Sequence, residues 1–326
     1  MYLLTTDLHL DENPENEYRW NVFDGIRQTI SMYSISDLFI LGDCFDRKDR
    51  FSASFVNRVI GCLREIFVPV YILRGNHDTT LHPPSYFTFL SQANTPGIEY
   101  VSKPTWYDSN LLLLPFTAQP REDWQYLKLS RAKCIFMHAT VRGSMFENGQ
   151  IVESDNLPML PGRVKFYSGD VHTPQTVRNV TYVGCPHPVK FGDKYPCRML
   201  VLNEMFDIAH EIQLSPPRKI VLEISDVHDL LKAKVNPGDQ VVIRFNYPSD
   251  QLENFGLAES SIDQWARENG ITLRRTEVAV ESEYGHRDVD PAESPEVVLR
   301  EFAATEGITD EMLAIGEELL NETRNS

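Results

Sequence analysis

The chain has 326 residues, 42% hydrophobic and 24% charged, which suits a sizeable globular core, and no apolar run approaches membrane-spanning length. Five cysteines, at 44, 62, 134, 185 and 197, show no CxxC pairing, which argues against a structural zinc site and a disulfide framework and points to a reducing cytosol. The net charge of −16 is heaviest at the end, where residues 291–326 carry two Lys or Arg against nine Asp or Glu; such a tail repels phosphates and fits a partner-binding or solubilising segment.

The opening MYLLTTDLHL predicts a strand over residues 2–6, with neither the basic region nor the small-residue cleavage site of a secretory signal. Helical spacing follows over 18–33. A buried strand over 38–41 runs into Gly42-Asp43-Cys44-Phe45-Asp46-Arg47. Residues 54–66 predict a helix with Phe55, Val59, Cys62, Leu63 and Ile66 on one face. The next strand, 68–73, runs into Gly75-Asn76-His77-Asp78. Further strands are predicted at 111–115, 134–137 and 164–168; the second meets His138 and the third Gly169-Asp170-Val171-His172.

Leu214-Ser-Pro-Pro-Arg218 reads as a linker, because consecutive prolines block helix and central strand alike. Beyond it the pattern predicts strand 219–224, helix 227–233, strand 240–245, helix 261–269 and strand 271–280. Ser261 and Gln264 have capping-box spacing, with Gly270 as the stop. Ser294-Pro295-Glu296 and Thr309-Asp310-Glu311 predict the starts of two short helices. The expected division is a main domain over 1–213, a small αβ cap over 214–290 and a C-terminal helix pair over 291–326.

A lone Asp or His after a strand is more often a turn or surface residue than a ligand. Here five clusters follow apolar strands, at Asp7-Leu8-His9, Asp43, Asn76-His77, His138 and Asp170-Val171-His172. Asp7 and His9 are two residues apart, as are Asp170 and His172, so an extended backbone would point each pair the same way. In α/β sheets, ligands gather at the carboxyl ends of strands. Carboxylates, imidazoles and one neutral amide suit two hard or borderline divalent cations with a bridging water, the equipment for hydrolysing a phosphate ester.

In this order the clusters resemble the calcineurin-like metallophosphoesterases over residues 1–200. Ser168-Gly-Asp-Val-His172-Thr-Pro-Gln175, Tyr182-Val-Gly184 and Phe191-Gly-Asp193 are similar to SbcD-type DNA nuclease subunits, and the compact length is similar to phage-encoded members. The resemblance implies an α/β fold: a two-sheet sandwich flanked by helices, with a small αβ capping domain and a C-terminal helix pair. It implies one metal at Asp7, His9, Asp43 and His172 and a second at Asp43, Asn76, His138 and Asp170, with Asp43 bridging. His77 is implied beside the leaving oxygen, and Asp46 as the acceptor that fixes the His77 ring. The family has Gly-His-x-His where this chain has Asp170 in place of the first His. A carboxylate there adds negative charge and favours harder ions, so two Mn²⁺ are expected, with Mg²⁺ the alternative.

The resemblance further implies a duplex-end exonuclease and single-strand endonuclease serving DNA repair or recombination. An SbcC-type ATPase would dock on the terminal helices, and the helix over 54–66 would contribute to a homodimer. A cytoplasmic location is expected, that of the host for a phage-encoded chain. Arg47, Lys48 and Arg50 read equally as a solvated loop and as contacts to the DNA backbone. His82, His187, His210, His228 and His286 match no motif position. Rival readings are a phosphoesterase acting on nucleotides or phosphoproteins and a non-catalytic scaffold.

Overall fold

Unbroken apolar runs, rather than alternating ones, mark strands covered on both faces. The computed structural model describes residues 1–46, 51–78, 97–247 and 255–280, together with 299, 300 and 313. Four parallel neighbours, β1 (Tyr2–Thr5), β2 (Asp37–Ile40), β3 (Val70–Leu73) and β4 (Ile98–Val101), form one side of a six-stranded sheet. A second six-stranded sheet runs β5 (Thr105–Trp106), β6 (Leu111–Leu114), β7 (Cys134–His138), β8 (Lys165–Gly169), β10 (Val180–Tyr182), β9 (Gln175–Val177), with β6, β7, β8 and β10 parallel. The first sheet is completed by β11 (Arg198–Leu202), antiparallel to β1, and β12 (Ile208–Gln213) at its edge.

Alternation along each strand divides the core into three layers. Leu4, Phe39, Leu41 and Leu73 from the first sheet meet Leu111, Leu113, Phe136 and Tyr167 from the second. On the outer face of the first sheet, Leu3, Leu38 and Ile40 pack under two helices, α1 (Val22–Met32) and α2 (Ala53–Arg64), through Phe23, Ile26, Phe55, Val59 and Leu63. Ser52 starts α2 by accepting a hydrogen bond from Phe55 N at 3.1 Å. The outer face of the second sheet buries Leu112, Leu114, Ile135, Met137 and Phe166. Each such side chain contributes roughly 1.5–3 kcal/mol by leaving water. These layers hold the strand ends, and the loops beyond them, in fixed positions.

The α/β two-sheet sandwich with flanking helices is as expected, but six strands are absent from the sequence reading: β4, β5, β9, β10, β11 and β12. Most are short, and β12 is largely exposed. A polar edge strand carries little hydrophobic signal. Residues 14–21 form a 3₁₀ helix ahead of α1. The capping box expected at Ser261 and Gln264 is not there, because the helix α3 (Phe255–Glu268) begins six residues earlier and Ser261 sits inside it. A capping box does occur at Asp226 and Asp229, which open a 3₁₀ helix over Val227–Lys232.

Strands β13 (Lys219–Ile224), β14 (Gln240–Tyr247) and β15 (Thr272–Val280) make a third sheet, β14 in the middle. Polar contacts tie it to the 3₁₀ helix at 14–21: Lys219 Nζ donates to Asn16 Oδ1 at 3.0 Å, and Arg274 pairs with Glu15. The chain divides into two compact units, residues 1–246 with 253–279 and residues 247–252 with 280–326. Most of the second, including the predicted C-terminal helices, lies outside the described residues. So do Arg47, Lys48, Arg50, His82 and His286. Among the described residues no helix is long and apolar enough to cross a membrane.

Candidate metal centre

The loops after β1 and β2 stay paired beyond their strands. Asp7 N donates to Gly42 O, His9 N to Asp43 O and Leu10 N to Cys44 O, each at 3.0 Å. This continuation carries Asp7, His9 and Asp43 side by side to the rim. The backbone there is left-handed: φ is 52° at Asp7, 41° at His9, 49° at Asp43 and 79° at Asp170. The shared side of Asp7 and His9 therefore comes from a doubly turned loop, not from the extended segment that their spacing suggests. Left-handed backbone costs a non-glycine residue about 1–3 kcal/mol, and it clusters where function requires it. Gly42 is tighter still, because a Cβ on it would lie 2.2 Å from His138 Nδ1.

The seven expected ligands converge. His9 Nε2 and His172 Nε2 are 3.2 Å apart. Asp43 turns Oδ2 toward His9 Nε2 at 3.9 Å and Oδ1 toward His138 Nε2 at 3.5 Å, which places it between the two sets. Asp170 Oδ1 lies 3.7 Å from His138 Nε2. The Asn76 amide meets the same nitrogen at 2.9 Å and the Asp43 carboxylate at 2.9 and 3.1 Å. Ligand atoms of Asp7, His9 and His172, and likewise of Asp7, Asp43 and His138, lie within 4.8 Å of one another.

The surroundings hold the ligands in orientation. His138 Nδ1 donates to Leu41 O at 2.7 Å, leaving Nε2 to face the centre. Thr140 Oγ1 donates to Asp170 Oδ2. Buried Asp78, which has no role in the sequence reading although it ends the Gly75 motif, accepts from Gly75 N at 2.8 Å and Phe45 N at 3.3 Å and so closes the Asn76 turn. Buried Arg19 donates to His9 O and lies 3.9 Å from both Asp11 and Asp46. A single Arg in a helical pattern gives no sequence signal for that role. Cys185 Sγ donates to Asp7 O at 2.9 Å, with buried His187 beside it.

One expected contact differs. His77 Nδ1 lies 2.9 Å from the backbone carbonyl of Asp46, not from its side chain. The Asp46 carboxylate instead faces His9 Nδ1 at 3.3 Å. The turn after Asp43 points this carboxylate back toward β1, so Asp46 orients His9 with its side chain and His77 with its backbone. His77 N also donates to Asp43 Oδ1 at 2.8 Å.

Electrostatics test whether cations fit. Asp7 is fully buried, and its Oδ2 has no hydrogen-bond partner among the described residues. Burial pushes its carboxyl up to about 8; His138 opposes this, while Asp43 and Asp170 add to it. For His138, burial works downward, but Asp43, Asp170 and Asp7 outweigh it and raise the imidazole to about 9. Burial and then His9 press His172 down to about 3, which keeps it neutral, the ligating form. Asp7 Oδ2 is thus a buried carboxylate oxygen without a donor among the described residues, crowded by the Asp43 and Asp170 carboxylates. Divalent cations held there would neutralise that charge and take Asp7 Oδ2 and the imidazole nitrogens as ligands, so the residues fit the group.

A sequence profile described as calcineurin-like phosphoesterase matches residues 2–273. Among curated proteins, Exonuclease subunit 1 of Enterobacteria phage T4 is 26% identical over 205 residues, 58% of this chain and 60% of that protein's length. Among solved structures, one titled as the crystal structure of Pseudomonas putida nuclease MPE aligns with 65% of this chain and 87% of its own, at 16% identity and a TM-score of 0.35.

Proposed function

The chain belongs to the calcineurin-like phosphoesterase family, and from that premise we propose that it is a metal-dependent DNA nuclease subunit, hydrolysing phosphodiesters at duplex ends and in single strands. The observation that carries this reading is the meeting of Asp7, His9, Asp43 and His138, all buried, with part-buried Asn76, Asp170 and His172, where Asp7 Oδ2 has no hydrogen-bond partner among the described residues. Two divalent cations held there would neutralise charge on the phosphoryl oxygens and supply a water acidic enough to attack phosphorus. Mn²⁺ suits the mixture of carboxylate, amide and imidazole, with Mg²⁺ the alternative.

The chain's own residues do the rest. Asp43 offers one oxygen to each half of the site. Leu41 O and Thr140 fix His138 and Asp170, so that the ester is met by a rigid frame rather than by mobile side chains. His77 donates a hydrogen bond from Nδ1 to the Asp46 carbonyl, which leaves its Nε2 for the departing oxygen in this proposal. Its Nε2 is assigned the delivery of a proton to the departing oxygen.

The name of the phage T4 relative, an exonuclease subunit, supports reading this chain as one member of a complex. In this proposal residues 1–213 are the nuclease domain, 214–290 the cap that presents DNA, and 291–326 the segment that docks on an SbcC-type ATPase. The acidity of that segment favours a basic partner surface. A homodimer through α2, a role in repair or recombination and a cytoplasmic location, the host's for a phage chain, complete the reading. Arg47, Lys48 and Arg50 are assigned to the DNA backbone.

The net charge of −16 favours a second reading, a phosphoesterase of nucleotides or phosphoproteins, since an acidic surface attracts no polyanion. Incubation of the purified chain with Mn²⁺ and labelled linear DNA, with and without chelator, separates them. Chelator-sensitive DNA products sustain the nuclease. Turnover of small esters alone selects the second reading, and no turnover at all leaves a scaffold.

A further inference from the structure

His172 Nδ1 is buried and has no hydrogen-bond partner among the described residues. Its other nitrogen, Nε2, faces His9 Nε2 at 3.2 Å and is the edge turned to the metal centre. An imidazole that ligates through Nε2 carries its proton on Nδ1, and that buried N–H requires an acceptor. The carboxylate beside it belongs to Glu147, whose Oε1 is 3.9 Å away. Closing that gap to a hydrogen bond takes a movement of about 1 Å.

Glu147 is placed to do this. It sits at the tip of a hairpin whose arms are joined by Gly143 N to Val152 O at 2.8 Å and Phe146 N to Gln150 O at 2.9 Å. Gln175 clamps the hairpin through both polar atoms of its amide, at 2.9 and 2.7 Å from Met145 N and O. From the opposite loop, Lys190 Nζ donates to the same Glu147 oxygen at 2.7 Å. Glu147 is 13% exposed and Lys190 68%, so the pair lies at the mouth of the site. Neither residue belongs to a motif of the sequence.

We propose that Glu147, steadied by Lys190, is a positioning residue that accepts the Nδ1 proton of His172 and sets the aim of that ligand. The inference rests on the metal-centre reading above. Calorimetric titration of the full chain with Mn²⁺ tests it. Wild type is expected to take up two ions. Glu147→Ala should weaken one of the two events by roughly ten- to a hundredfold and leave the other unchanged, with an unaltered melting temperature in chelator. Glu147→Gln, whose amide oxygen still accepts, should recover most of the lost affinity. Two wild-type binding events in Glu147→Ala, or a Gln variant as weak as the Ala one, overturn the inference alone. A wild-type chain that binds no Mn²⁺ overturns the metal centre and this inference together.

Discussion

Gly75 and Asp43 approach so closely that no side chain fits between them: a Cβ on Gly75 would lie 2.1 Å from Asp43 Oδ1 and 2.2 Å from its backbone nitrogen. The turn that delivers Asn76 and His77 is thus packed directly on the carboxylate that both halves of the site share. Asp78 locks the turn from below through Gly75 N and Phe45 N.

Gly75→Ala must therefore push Asp43 out of place. The expected result is a loss of about 1–3 kcal/mol in stability and a fall in turnover of roughly a hundredfold, the effect of moving a reacting group by an ångström. Thermal melting and hydrolysis of bis-p-nitrophenyl phosphate measure both. Wild-type values would show that the turn has room to spare.

In the proposed reading His77 protonates the leaving oxygen, so the effect of removing it should depend on the leaving group. His77→Gln is expected to bind Mn²⁺ normally and to cleave DNA about 10²–10⁴-fold more slowly. An ester of p-nitrophenol, which departs without a proton, should suffer far less. Equal losses on both substrates would place His77 in binding rather than in proton delivery.

The pH dependence of the metal-free protein follows from Asp7 and His138. Both hold protons more tightly in the folded state, about 8 against 3.8 for Asp7 and about 9 against 6.5 for His138. A raised folded-state pKa contributes stability that is complete below the unfolded value and lost as pH rises through the folded one. In chelator, the melting temperature should fall as pH rises from about 4 to about 9, most steeply between about 6.5 and 8, where both groups contribute. With Mn²⁺ in place of the protons, the gap between loaded and chelated melting temperatures should widen over the same range. A gap that narrows with rising pH would contradict the charge balance described for the site.

The meeting of these residues was legible in the sequence because each candidate ligand follows a buried apolar strand, and parallel strands deliver their ends to one rim. Asp7, His9, Asp43, Asn76, His138, Asp170 and His172 needed no more than that pattern, together with the family resemblance, to be grouped. The contacts of Asp46 were not legible. Whether its side chain or its carbonyl meets His77 depends on the left-handed turn at Asp43, which spacing does not encode. Arg19 and Glu147 were invisible for a similar reason: each reaches the site from an element with no motif, across distances set only by packing. The edge strand β12 was lost because its residues are mostly exposed and carry little apolar signal.

Asp170 stands where an imidazole is usual in the family, held by Thr140 and 3.7 Å from His138. Asp170→Ala should keep its fold, since the side chain is part-exposed at the rim, yet lose at least about tenfold in Mn²⁺ affinity at one of the two positions. Calorimetry beside a melting curve checks this. Undiminished affinity would remove Asp170 from the ligand set.

The most direct measurement is anomalous diffraction at the manganese edge from crystals soaked in Mn²⁺. Two peaks about 3.5–4 Å apart are expected, with Asp43 between them, one flanked by Asp7, His9 and His172 and the other by Asn76, His138 and Asp170. Crystals that show no peak beside Asp43 would contradict the two-metal account of this chain.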